Sequence, residues 1–371
     1  MLDQPSIPFI ILAFILALGP LIFFHELGHY SVARLFGIGA ETFSIGFGRK
    51  IAGWTDKRGT SWQVGWLPLG GYVKLAGDMD PTSRPDPEDG DPTHFQNKPL
   101  WQRALVVLAG PLANFLLAIL IFAAFFMAFG ISTTPSDVQR VEPGGAAEAM
   151  GIEAGDKIVA INGNEVDGFI EVRQYVFLRP NAPVEIDIVR DGERLTKAGN
   201  LGAIELEDEF GQKQEVGQLG VYSVEPVADR LAPWEAIPAG ASATWSMIEM
   251  IVEGLRQIIV GDRSVKELGG PMKIAQVSGQ QASLGIFPFV QLLAFLSINL
   301  GFINLLPIPM LDGGHLAFYS YEAVRRKPAG PRVQEWAYRI GLSLILALII
   351  FTTLNDLSSF GVGERLQRLI G

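Results

Sequence analysis

Cysteine is absent from the 371 residues. That removes thiol nucleophiles, iron–sulfur clusters, Cys-ligated zinc and disulfides together, and leaves the redox compartment undetermined. Histidine is nearly as scarce, with only His25, His29, His94 and His315. A metal site in this chain must draw on two or three of them and complete its shell with carboxylates. Charged residues amount to 18%, and the net charge of −10 comes without a basic stripe. No nucleic acid is expected as a partner. Apolar residues make up 49% of the chain, and with so little charge beside them the balance is foreign to an ordinary soluble protein.

Three stretches carry no charge at all: 7–24, 104–131 and 282–311, of 18, 28 and 30 residues. A fourth, 340–355, has 16 and needs help from its flanks. A hydrocarbon core of about 30 Å takes roughly 20 helical residues, so four spans are expected in a lipid bilayer. The first has no positive leader and no small-residue cleavage site behind it, and reads as a retained span. Lys and Arg number 9 in 31–103 and 5 in 312–339, against none before the first span and two in the C-terminal tail. The long connection 132–281 holds 13, but long domains translocate largely regardless of charge. Both termini and that connection are therefore expected outside, with the first and third loops in the cytoplasm. Within the first loop, 78–91 has six acids, one arginine and three prolines. It cannot bury enough apolar surface to order itself, so 77–99 reads as a flexible acidic linker.

The first apolar run leads straight into His25-Glu26-Leu27-Gly28-His29. On a helix, residues four apart share a face, so two imidazoles can reach one zinc ion. Glu26 is then placed to accept a proton from metal-bound water. The alternative puts these side chains in the headgroup layer as ordinary polar residues, but ionisable groups ending an apolar helix are functional candidates by default. A catalytic zinc wants a third protein ligand and one open position. Asp312 is the best candidate, at the end of Asn304-Leu305-Leu306-Pro307-Ile308-Pro309-Met310-Leu311-Asp312-Gly313-Gly314. Two prolines one residue apart break a helix, and non-helical backbone at membrane depth must be buried in protein or line a wet cavity. Its alternative is a turn acid before Gly-Gly. His315 reads as an outer partner, because a fourth ligand would close the site. His94 reads as a surface histidine. Other divalent metals also suit two imidazoles and a carboxylate.

Two further patterns stand out. Phe43, Ile45, Phe47 and Ile51 share one parity with Gly46 and Gly48 between them, and beyond a turn at 56–59 Trp62, Val64 and Trp66 alternate. Region 37–76 is expected to form a β-hairpin with one apolar face. Its glycines permit close backbone approach by another strand or by a ligand. Gly46, Phe47 and Gly48 are thus candidate substrate-binding residues, on a strand edge able to capture an extended segment by strand addition. The alternative is a hairpin that plugs the cytoplasmic face. In 134–205 the pattern turns soluble and mixed, with Gly155-Asp156, Ile161-Asn162-Gly163 and a strand alternating at Val184, Ile186 and Ile188. This portion resembles a bacterial protease-type PDZ domain, whose groove would bind extended chain ends or serve only as a cap. A second such signature is lacking. The connector 206–281 should contain an amphipathic helix on the outer membrane surface.

Three ordered motifs carry a wider resemblance: the His25–His29 string, Gly110-Pro111-Leu112-Ala113-Asn114-Phe115, and the Asn304-to-Gly313 segment. Together they resemble the site-2 protease family of intramembrane zinc metalloproteases, RseP-like and with a single PDZ domain, and the likeness runs nearly end to end. It implies one Zn2+ per chain held by His25, His29 and Asp312, Glu26 as catalytic acid/base, and Asn304 as a residue holding substrate near the metal. It further implies regulated intramembrane proteolysis of single-span transmembrane proteins, of the anti-sigma-factor type or signal-peptide remnants, in the bacterial inner membrane. The hairpin would then present substrate. The expected architecture is a polytopic α-helical membrane protein: four transmembrane helices (1–36, 100–131, 282–316, 336–360), a membrane-associated β-hairpin and one extracytoplasmic α/β PDZ domain. Two rivals remain in view. A membrane-anchored PDZ binding protein with a vestigial metal site would have no use for Glu26. A metal or proton transporter often shows repeated spans, and none is evident.

Overall fold

An unbroken apolar run in lipid can satisfy its backbone polar groups only by closing them on itself as a helix or within a closed barrel. The computed structural model, which describes residues 5–77, 90–133, 135–166, 168–207, 213–223, 227–261, 264–265 and 269–359, has helices at all four runs. In chain order come α1 (Ile7–Leu35), β1 (Ala40–Thr55), β2 (Ser61–Leu75), α2 (Leu100–Phe129), β3 (Ile131–Thr133), β4 (Arg140–Val141) and α3 (Ala146–Ala149). Next are β5 (Lys157–Ile161), β6 (Asn164–Glu165), α4 (Phe169–Phe177), β7 (Pro183–Arg190), β8 (Glu193–Asn200), β9 (Gly202–Glu207) and β10 (Lys213–Gln218). The chain continues through β11 (Val221–Tyr222), β12 (Val227–Asp229), α5 (Pro233–Val260), α6 (Pro271–Leu284), α7 (Ile286–Leu305), α8 (Asp312–Arg325) and α9 (Pro331–Ser359). Among the described residues four helices, α1, α2, α7 and α9, are long and apolar enough to cross a membrane. Most of the acidic stretch read as a linker, 78–89, lies outside the described residues.

The chain divides into two units, 1–123 with 237–356, and 124–236 with 357–371. In the first, α1 packs against β1, β2, α6 and α7. Its core gathers Tyr30, Ile38, Phe43, Leu75, Phe95, Val106 and Tyr319. Phe43 stacks on Trp62 with ring centroids 4.3 Å apart and meets Tyr30 edge-on. The outward faces stay apolar, with Leu12, Leu16, Leu116, Leu120, Leu346 and Ile350 all exposed. That is a surface suited to acyl chains rather than water.

The hairpin is more folded than parity alone suggests. Phe43 and Ile45 pair with Val73 and Gly71 on one side, and with Trp62 and Val64 on the other. The doubling begins where Gly46 takes φ +87° and approaches Gly65 so closely that a Cβ on Gly65 would stand 2.6 Å from the Phe47 carbonyl oxygen. The close approach anticipated for the glycines is therefore made by the hairpin's own backbone.

The second unit is built on a four-stranded sheet of order β6-β5-β7-β8. Val184, Ile186 and Ile188 of β7 point into a core with Ile158, Ile161, Val172 and Met150, as period-two alternation requires. Asn162 and Gly163 both take positive φ, 46° and 78°, at the β5–β6 turn, the conformation that favours Asn-Gly in two-residue hairpins. Asp156 is only 1% exposed and accepts from Arg190 Nε at 2.7 Å and Nη2 at 2.9 Å, and from the Glu153 amide at 2.7 Å. The Arg190 guanidinium holds its carboxyl below the usual carboxylate range.

A depressed native pKa means stability that is present above the unfolded-state value and is lost as pH falls below it. Thermal melting of this unit is therefore expected to drop as pH falls from about 4 downward, the unfolded aspartate titrating near 3.9. Asp156→Asn should cost about 1–3 kcal/mol at pH 7 and flatten that acid limb. An acid limb unchanged in Asp156→Asn would show that the pair contributes nothing.

Candidate metal centre

Helical spacing puts His25 and His29 on one face of α1, and the structure turns both toward the protein interior. Their Nε2 atoms stand 3.2 Å apart. Asp312, the first residue of α8, brings Oδ2 to 3.2 Å from His25 Nε2 and 3.5 Å from His29 Nε2. Among the described residues, these three side chains form a group whose ligand atoms all lie within 4.8 Å of one another.

The late aspartate reaches this point because α7 stops at Leu305 and the chain resumes as helix only at Asp312. Pro307 and Pro309 lie in the break, and Met310 takes φ +85°. A Cβ on Gly313 would collide with the Leu305 and Leu306 carbonyl oxygens, so glycine is what lets the first turn of α8 nest against the broken end of α7. Arg103 Nη2 pairs with Glu322 at 2.7 Å and its guanidinium lies over Tyr319, tying α8 to the start of α2.

Helix α2 supports both imidazoles from behind. His29 Nδ1 is 2.8 Å from the Val106 carbonyl oxygen. A carbonyl can only accept, so the ring proton sits on Nδ1 and the Nε2 lone pair points toward Asp312. Gly110 makes room for this: a Cβ there would run into the His29 ring. Asn114, fully buried, has its amide 3.2 Å from His25 Nδ1. Neither Val106 nor Asn114 was singled out as part of the site by sequence reading, although Gly110 and Asn114 sit inside the second motif.

Glu26 is 8% exposed and is covered by the hairpin, where a Cβ on Gly71 would stand 2.9 Å from Glu26 Cγ. Asn304 Nδ2 lies 3.5 Å from His25 Nε2. A cavity of about 660 Å³ opens beside these groups, lined by His25, Glu26, His29, Phe47, Tyr72, Asn304, Asp312 and Tyr338 among others. Of the hairpin candidates, Phe47 faces this cavity, whereas Gly46 packs on Gly65 and Leu67 and Gly48 on the Trp66 indole. Strand residues Gly70, Gly71 and Tyr72 line it too. His315 also lines it, with Nδ1 3.3 Å from the Tyr338 hydroxyl. His94 pairs with Asp91 at 3.8 Å.

These residues fit a zinc ion. Asp312 Oδ2 is buried and, among the described residues, takes part in no hydrogen bond. A neutral imidazole lone pair and a carboxylate oxygen crowded together repel unless a cation lies between them. Two imidazole nitrogens and one carboxylate oxygen are a recurrent zinc shell that leaves a position open.

A buried and a half-buried histidine that converge with an acid between helices apolar enough to span a bilayer define an intramembrane metallopeptidase type of site, and comparison with known proteins agrees. The profile of peptidase family M50 matches residues 13–348, and the chain belongs to that family of zinc metalloproteases. It is 42% identical over 360 residues to a protein of Agrobacterium fabrum assigned as a zinc metalloprotease, covering 94% of this chain and 96% of the relative. It is 40% identical to a Rhizobium meliloti protein assigned likewise, covering 95% and 97%. It is 38% identical to metalloprotease MmpA of Caulobacter vibrioides, covering 91% and 92%.

Purified protein is expected to carry one zinc by elemental analysis, and His25→Ala or Asp312→Ala to lose it. Zinc retained in both variants would rule out this centre. Gly110→Ala should push the His29 ring aside, costing about 1–3 kcal/mol by overpacking and weakening zinc binding. Melting temperature and zinc content equal to wild type would show that the ring has room.

Proposed function

We propose that the chain is an intramembrane zinc endopeptidase that cleaves single-span membrane proteins, membrane-anchored regulators of the anti-sigma-factor type and signal-peptide remnants among them. The observation that carries this reading is the placement of buried Glu26 beside the His25–His29–Asp312 group, at a cavity edged by a β-strand. His25, His29 and Asp312 would hold the ion. Zinc bound there would supply Lewis-acid polarisation of the scissile carbonyl and of water. Glu26 takes a proton from the attacking water and passes it to the departing amine as the peptide C–N bond breaks. Asn304, whose Nδ2 lies 3.5 Å from His25 Nε2, would hold the substrate carbonyl beside the ion. The hairpin offers Gly70–Tyr72 as backbone against which an unwound substrate segment can extend, since strand addition supplies main-chain hydrogen bonds to any sequence.

Topology and partners belong to the same reading. The lysine and arginine bias supports a plasma-membrane protein with its first and third loops cytoplasmic and both termini outside. The unit around β5, β7 and β8 is read as an extracytoplasmic PDZ domain that binds chain ends or restricts access until a substrate has been shortened. Its Asn-Gly turn and its Asp156–Arg190 pair support a rigid soluble module.

The test is cleavage of a single-span substrate in proteoliposomes. Glu26→Gln is expected to lower kcat by about 10²–10⁴-fold with zinc content retained, and a zinc chelator to abolish cleavage reversibly. Undiminished turnover in Glu26→Gln would overturn the mechanism.

A further inference from the structure

The two imidazoles of the centre are supported unequally. Proton placement at His29 is settled by a main-chain carbonyl, which has no alternative to accepting. At His25 the corresponding partner is the side-chain amide of Asn114, and an amide offers either a donor or an acceptor. The metal-facing atom of His25 is Nε2, 3.2 Å from Asp312 Oδ2. To ligate, Nε2 needs its lone pair, so the proton must sit on Nδ1. Nδ1 faces Asn114 at 3.2 Å, in a position with no exposure. In the structure the amide nitrogen is the nearer atom. Asn114 Oδ1 is buried and, among the described residues, has no hydrogen-bond partner. A half-turn of the amide exchanges oxygen and nitrogen at almost no steric cost. The oxygen then gains a donor in Nδ1–H, and Nε2 is released to the metal.

The backbone beneath Asn114 is itself anchored: the Ser297 hydroxyl of α7 donates to the Asn114 carbonyl oxygen at 2.8 Å, both groups buried. Val106 and Asn114 lie about two turns apart along α2. One helix therefore addresses both rings, through a carbonyl at one end and an amide at the other.

We propose that Asn114 is a positioning residue of the centre: its amide oxygen accepts Nδ1–H of His25, sets the tautomer that frees Nε2, and fixes the ring plane. This rests on the zinc-site reading. It makes Asn114 part of zinc affinity without being a ligand, as outer partners of ligating histidines commonly are.

The experiment uses the full chain in detergent micelles and measures the zinc dissociation constant by competition with a chromophoric chelator, beside melting of the zinc-free protein. Asn114→Leu keeps the volume and removes the acceptor, and is expected to weaken zinc binding about 10- to 100-fold with zinc-free melting near wild type. Asn114→Asp restores an acceptor and is expected to bind zinc as tightly as wild type or tighter. Zinc affinity unchanged in Asn114→Leu would overturn the proposal. So would equal losses in both variants accompanied by lowered zinc-free melting, which would mark Asn114 as packing alone. Wild-type protein without stoichiometric zinc would instead remove the zinc-site reading itself, a separate outcome from either.

Discussion

Two imidazole nitrogens and a carboxylate oxygen share a few ångströms of space inside an apolar scaffold, and the surrounding structure is arranged around that crowding. Left alone, such a cluster repels itself and pays the cost of burying ionisable groups away from water. A cation would remove both penalties, and the ring of His29 already turns its Nε2 lone pair inward. The Val106 carbonyl pulls the His29 proton outward, Asn114 stands behind His25, and Asp312 Oδ2 is left, among the described residues, without a hydrogen bond.

Bringing those atoms together demands close backbone approach, and lipid offers no hydrophobic force to drive helices together. Small residues supply the approach instead. Gly110 lets α2 lie against the His29 ring, and Gly313 lets α8 begin directly under the carbonyl end of α7. The proline-interrupted link between α7 and α8 is tolerated because it lies against protein and beside a cavity. The same interruption turns the Asp312 carboxylate inward.

The hairpin brings a second constraint. Its doubled pairing leaves a strand containing Gly70 to Tyr72 over Glu26, and Gly71 allows the backbone to come within reach of that side chain. Glu26 and the cavity edge are thus parts of one packed assembly, fixed through Phe43, Trp62 and Tyr30 to the C-terminal part of α1. Any polypeptide entering the cavity meets main chain on one side and the His25–His29–Asp312 group on the other.

Much of this was legible in the residues. Four spans followed from charge-free length, because a helix in lipid has a minimum extent. His25 and His29 sharing a face followed from helical period, which is a local property of the chain. Pro307 and Pro309 announced a break before Asp312, since neither can donate within a helix. Beyond such local rules the residues were silent. The parity at Phe43, Ile45 and Phe47 indicated a strand but not that it pairs on both sides, because pairing partners are chosen by packing and not by alternation. Gly46 and Gly48 could have served a ligand or a neighbouring strand, and only the fold shows Gly65 and Trp66 filling those places. Val106 carried no signal at all, its part in the site being a backbone carbonyl that every residue possesses. Which atoms of distant helices come within hydrogen-bond reach is decided by how whole surfaces fit together, and that fit exists only once the chain has folded.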